Sequence, residues 1–159
     1  MAVPDVVIRP VTAEDHDAWK PLWDGYNAFY GRKGPTALPD DVTQVTWSRF
    51  LDGSEPMHAL VAEEAEEGRL LGLVHFVLHR STTQDAPTCY LQDLFTVEEA
   101  RGRGVGRALI EEVRGRAGAV GSAQVYWHTH ESNATARRLY DLLVEPSGFV
   151  VYRLPTHDE

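Results

Sequence analysis

The chain has 159 residues, 43% of them apolar, and a formal net charge of −9, which suits one domain with a sizeable core. The acidic balance argues against general nucleic-acid binding, and no apolar run approaches the length of a membrane span. A lone cysteine, Cys89, rules out an internal disulfide and fits a reducing compartment. The opening Met-Ala-Val-Pro-Asp does not read as a signal peptide, so the expected location is the cytoplasm. Residues 6–9 read as a strand. Thr12 with Asp15 reads as a capping box opening a helix that runs to about Tyr30. Trp19, Trp23, Tyr26 and Tyr30 recur on it at helical spacing, the pattern of a core stripe. Gly34-Pro35 marks a loop over residues 31–39, and residues 40–51 form a second helical pattern. Strands are expected at 58–63, 70–79 and 88–97, with a helix at 106–117 carrying Leu109, Ile110 and Val113 inward. A strand at 124–129, a helix at 133–143 and a last strand at 149–154 complete the chain. The order is β-α-α-β-β-β-α-β-α-β, a mixed α/β fold of one domain, residues 1–159, with a mostly antiparallel sheet and about four helices.

The most specific segment joins the strand at 88–97 to the helix that follows. It reads Leu-Gln-Asp-Leu-Phe-Thr-Val-Glu-Glu-Ala-Arg-Gly-Arg-Gly-Val-Gly over residues 91–106. Main-chain N–H groups at a helix N-terminus lack intrahelical partners and favour an anion. Gly102, Gly104 and Gly106 admit that anion close to the backbone, and Arg101, Arg103 and Arg107 add charge suited to phosphate. Two familiar phosphate loops fail on spacing. A P-loop requires Lys and then Ser or Thr, where this chain has Arg107-Ala108. The dinucleotide fingerprint requires a third glycine where Arg107 stands. The alternative to a cradle is a glycine-rich turn with solvated arginines.

Arg101, Gly104 and Gly106 fill the pattern [Arg/Gln]-x-x-Gly-x-[Gly/Ala] after a strand. This resembles the pyrophosphate loop of the GNAT superfamily, the acyl-CoA-dependent N-acyltransferases. The likeness runs from about residue 7 to residue 153 and is most specific over 91–140. Within the superfamily, Tyr90-Leu91-Gln92-Asp93-Leu94-Phe95 and Trp127-His128-Thr129 leading to Asn133 look like the spermidine/spermine and small-amine branch. The resemblance implies acetyl-CoA as cofactor, a primary amine of a small molecule as acceptor (polyamine-like, amino acid or related), and a homodimer without nucleic-acid or membrane partners. It places the cofactor on Leu94, Phe95, Thr96, Val97, the loop Arg101, Gly102, Arg103, Gly104, Val105, Gly106, Arg107, and on Asn133, Ala136 and Tyr140. Asn133 alternatively caps its helix, and Tyr140 alternatively packs in a core.

The resemblance gives Tyr140 the proton for the departing thiolate; a phenol, ordinarily near pKa 10, still carries one at neutral pH. The acceptor amine arrives protonated and needs a base. The polyamine branch usually has Glu-Asp before the cradle, whereas this chain has Gln92-Asp93. Gln92 takes no proton, so Asp93 becomes the candidate, with His75, His79, His128, His130 or a water chain as alternatives. Strand alternation turns Gln92 and Asp93 to opposite faces unless a bulge intervenes. Tyr26, Asn27, Gln92, Trp127 and His128 are the expected acceptor contacts. His128-x-His130 lacks a third ligand at zinc spacing, so no metal is expected. Two rival functions stay open: a CoA-binding sensor without catalysis, and an ATP or NAD module.

Overall fold

The computed structural model describes residues 5–158. Met1–Pro4, most of the segment read above as lacking a signal peptide, lie outside the described residues. The chain divides into two compact units, Met1–Trp127 and His128–Glu159.

The first unit holds strands β1 (Val6–Pro10), β2 (Met57–Glu64), β3 (Leu70–His79), β4 (Thr88–Thr96) and β5 (Val125–Tyr126). Helix α1 (His16–Phe29) and helix α2 (Asp40–Leu51) follow β1, and helix α3 (Val105–Ala119) links β4 to β5. The sheet order is β1-β2-β3-β4-β5. The first three joins are antiparallel, as short turns allow, and the β4–β5 join, made through a crossover helix, is parallel.

Helices cover both faces of this sheet. Gly72 on β3 faces α3: a Cβ there would lie 3.0 Å from Leu109 Cδ1 and 3.2 Å from Val105 Cγ1. The next residue, Leu73, points the other way and packs with Trp19, Trp23 and Tyr26 of α1 and Trp47 of α2. The core stripe on α1 thus holds for Trp19, Trp23 and Tyr26, whereas Tyr30, just past the helix end, is 45% exposed. Trp19 is wholly enclosed, with its ring 4.6 Å from Trp47 and 5.8 Å from Trp23. On α3, Leu109, Ile110 and Val113 are buried as expected.

The capping box forms. Asp15 accepts from the Thr12 main-chain N–H at 2.7 Å. The same carboxylate receives Arg9 Nη1 at 2.7 Å, and Arg9 Nε reaches Glu63 Oε2 at 2.6 Å, so β1, β2 and the start of α1 are tied by one guanidinium.

Strand β4 carries an irregularity. His75 pairs with Asp93 and Phe76 with Leu91, which leaves Gln92 as the extra residue of a bulge. His75 and Phe76 point to opposite faces, so the bulge sends Asp93 and Leu91 to opposite faces although they are two apart. Asp93 thereby joins the aromatic side with Leu73 and Phe95, while Gln92 is exposed.

The second unit contains α4 (Ala134–Leu143). Asn133 caps it, its Oδ1 accepting from the Ala136 N–H at 3.3 Å. Two expectations need correction. The strand expected at 149–154 does not form: Phe149 is 92% and Leu154 91% exposed, and the segment is irregular. An apolar, β-branched and aromatic run favours extended backbone, but a strand exists only through main-chain bonds to a neighbour. The strand expected at 124–129 shortens to Val125–Tyr126. Among the described residues no helix is long and apolar enough to cross a membrane.

Candidate active site

The loop between β4 and α3 descends through a short 3₁₀ turn at Glu98–Ala100 and then bends twice at glycine. Gly102 has φ +74 and Gly104 has φ +87, left-handed values that side chains resist. Gly104 is the N-cap of α3, and the first intrahelical bond runs from the Ala108 N–H to the Gly104 carbonyl at 3.0 Å. The N–H groups of Val105, Gly106 and Arg107 come before it and have no partner within the helix. Nothing lies within 4 Å of where a Cβ on Gly102 would stand, so the concave side of the loop is open. Arg101 donates from Nε to the Thr96 carbonyl at 3.1 Å and lies over the Phe95 ring at 5.6 Å, while Arg107 is exposed. Helix N–H groups, glycine bends and arginines together form an anion cradle.

The strand leading to the cradle is open along one edge. Parallel pairing of β4 with β5 covers only Cys89 and Tyr90. Among the described residues no strand pairs with Leu91 to Thr96 on that side, an arrangement that suits an extended ligand added as a further strand. A cleft of ≈ 580 Å³ lies on the α1 side of the same strand end, lined by Leu22, Gly25, Leu70, Phe95, Val97 and Arg101 among others.

On the aromatic face, Asp93 sits in a chain of hydrogen bonds. It is only 8% exposed. His75 Nδ1 lies 2.9 Å from Asp93 Oδ2, and Trp19 Nε1 donates to His75 Nε2 at 3.1 Å. An indole N–H only donates, so Nε2 is the acceptor and the ring proton sits on Nδ1, aimed at the carboxylate. The imidazole thus donates to the Asp93 carboxylate from Nδ1 while it accepts from the indole at Nε2. The Tyr26 hydroxyl also faces the carboxylate. Burial first, and then the Asp93 charge, push the Tyr26 phenol well above its ordinary range, so it keeps its proton and acts as a donor. Tyr30, nearer solvent, is pushed up by the same two causes.

A model of the acetyltransferase (GNAT) family matches residues 19–143. The chain belongs to that family. The GNAT assignment is supported by a relative from Saccharomyces cerevisiae (strain ATCC 204508 / S288c), the D-amino-acid N-acetyltransferase HPA3, 32% identical over 93% of this chain and 89% of its own length. A solved structure of a probable acetyltransferase superposes with a TM-score of 0.81 at 25% identity, covering 96% of this chain and 99% of that one. The aminoglycoside N-acetyltransferase AAC(6')-Iy in complex with CoA shares the fold, with a TM-score of 0.79 at 18% identity over 97% of both chains. This GNAT protein is thus an acetyltransferase, and acetyl-CoA is its cofactor. The cradle and the open β4 edge suit the two ends of such a molecule, a diphosphate and an extended amide-bearing arm.

The expected site residues fall in both units. Leu94, Phe95, Thr96, Val97 and residues 101–107 lie together in the first, with Asp93, Tyr26, Gln92 and Trp127. Asn133, Ala136, Tyr140 and His128 lie in the second, where Asn133 makes its cap bond and His128 is exposed. Asn27, expected as an acceptor contact, is buried and commits its amide internally: Nδ2 donates to the Trp23 carbonyl at 2.9 Å and Oδ1 accepts from Arg32 Nε at 2.6 Å. Sequence reasoning missed Arg32 and the Trp19–His75 link. The pairing of His75 on β3 with an indole on α1 depends on tertiary packing; only the alternation placing His75 inward hinted at it.

Proposed function

We propose that this GNAT enzyme moves the acetyl group of acetyl-CoA directly to the primary amine of a small molecule, polyamine-like, amino acid or related. Acetyl-CoA, when bound, supplies the thioester whose acetyl group is transferred. Asp93 accepts the proton of the arriving ammonium at Oδ1 or Oδ2, because His75 and Tyr26 orient the carboxylate and leave it lone pairs to spare. One main-chain N–H among residues 94–96 is the donor assigned to negative charge on the carbonyl oxygen, the Val97 N–H being committed to the Leu71 carbonyl at 2.9 Å. Tyr140 gives its phenolic proton to the departing sulfur, and Asn133 and Ala136 hold the cofactor's arm. A single acetyltransferase domain over residues 1–159 belongs to the proposal, supported by the family match running from residue 19 to residue 143. Cytoplasmic location and a homodimer belong to the same proposal, the former supported by the single cysteine.

One observation carries the proposal: the Asp93 carboxylate stands on the same strand that ends in the anion cradle, three residues before its last position. The printed activity of the yeast relative supports the amino-acid arm, and the run 90–95 keeps a polyamine-like acceptor in view. The test is thiol release from acetyl-CoA across a panel of amines. Amine-dependent release supports the proposal. Binding of the cofactor without amine-dependent release would instead make the protein a sensor.

A further inference from the structure

We infer that Arg32 receives a carboxylate of the acceptor, so that the acceptor is a zwitterion carrying its amine and a carboxylate close together, as an α-amino acid does. This rests on the acetyltransferase reading above and specifies its substrate class.

Arg32 lies just past α1, in the loop before α2, and is half-buried. Its guanidinium carbon is 5.8 Å from the centre of the Tyr26 ring and 5.6 Å from that of Tyr30, and these two rings are 5.0 Å apart. The arginine is fixed from behind. Its Nε donates to Asn27 Oδ1 at 2.6 Å, and its main-chain N–H donates to the Asn27 carbonyl at 2.8 Å. Asn27 is itself enclosed and anchored to Trp23. A guanidinium held through Nε presents its two terminal nitrogens as a fork, the geometry that matches a carboxylate with two parallel hydrogen bonds.

Arg9, Arg69, Arg114 and Arg116 each pair with a carboxylate. Among the described residues no carboxylate lies within 4 Å of Arg32. Tyr26 meets both charges: its hydroxyl faces Asp93, and its ring centre is 5.8 Å from the Arg32 guanidinium carbon. A ligand seated across that phenol meets an anion at one end, where an ammonium belongs, and a cationic fork at the other. A diamine placed the same way brings its second ammonium against Arg32, a like-charge contact that disfavours it.

The experiment uses the purified full chain, acetyl-CoA, and matched acceptors: both enantiomers of several α-amino acids, their carboxamides, and the amines lacking the carboxyl carbon. Thiol release is read for the unmodified protein, Arg32→Gln and Arg32→Lys. The expected kcat/KM for free acids exceeds that for the carboxamides by about 10- to 100-fold, the range for a hydrogen-bonded charged group. Arg32→Gln is expected to bring that ratio close to one, and Arg32→Lys to leave an intermediate ratio. Should Arg32→Gln lose all activity, the ratio in Arg32→Lys decides. Acetylation of carboxamides or plain amines as fast as free acids overturns the inference while the transferase reading stands, as does an acid-to-amide ratio that neither variant moves. Absence of thiol release with every acceptor overturns both.

Discussion

Two side chains, His75 through Nδ1 and Tyr26 through its hydroxyl, face the one carboxylate assigned to chemistry. His75→Phe removes the acceptor of the enclosed Trp19 N–H and the donor to Asp93 together. Leaving such groups without partners costs about 1–3 kcal/mol each. Urea denaturation of His75→Phe is therefore expected to show a loss in that range. Loss of the donor that orients the Asp93 carboxylate is also expected to lower amine turnover. His75→Gln, which keeps a donor, restores part of both; turnover unchanged in His75→Phe would show that the imidazole only fills space. Away from the site, Arg9 beside Asp15 holds that carboxyl down at about 2, against an ordinary 3.8. A depressed carboxylate stabilises the fold fully above its ordinary value and loses that contribution as the pH falls toward the folded one. The stability gap between the unmodified protein and Asp15→Asn is thus expected to be widest at neutral pH and to close between about pH 4 and pH 2. A constant gap would mean the carboxylate contributes shape rather than charge. At this scale the sequence displayed Asp93 and the cradle glycines, because motif spacing is local. It did not display Arg32, whose meaning depends on Asn27, Tyr26 and Tyr30 converging around a loop position.

Elements were legible where periodicity and punctuation agreed. The α1 stripe, the α2 boundaries and the three long strands follow from side-chain period and turn residues. Side-chain pattern did not decide the bulge at Gln92, which only pairing against β3 reveals, or the segment 149–154, whose apolar run has no ladder to complete. Close packing between β3 and α3 is a further element-scale feature. At Gly72 an added methyl would meet the Phe95 carbonyl at 3.0 Å as well as Leu109 and Val105. Gly72→Ala is expected to destabilise the protein by about 1–3 kcal/mol, the usual cost of overpacking. It also weakens CoA binding by moving the helix end that forms the cradle; a variant as stable and as tight-binding as the parent would show that α3 shifts freely. On α4, Tyr140→Phe keeps the ring and removes the proton. Turnover falls while acetyl-CoA affinity holds, as equilibrium titration can check; unchanged turnover removes Tyr140 from the mechanism.

Across the whole molecule, a single strand organises the chemistry. β4 carries the carboxylate proposed as base on its aromatic face, an edge that β5 leaves unpaired along its second half, and the glycine bends of the proposed cradle after its end. The sheet keeps these parts in register, while α1 and the loop after it bring the aromatic rings and the arginine proposed for the acceptor. The account stands on Asp93 taking the proton of the amine. The direct measurement is kcat/KM for an amine acceptor from about pH 6 to about pH 9, in the unmodified enzyme and in Asp93→Asn, at saturating acetyl-CoA. The predicted result is a fall of about 100-fold or more in Asp93→Asn, with its pH dependence altered, as loss of a general base entails. An Asp93→Asn enzyme that keeps both the rate and the pH dependence of its parent would contradict it.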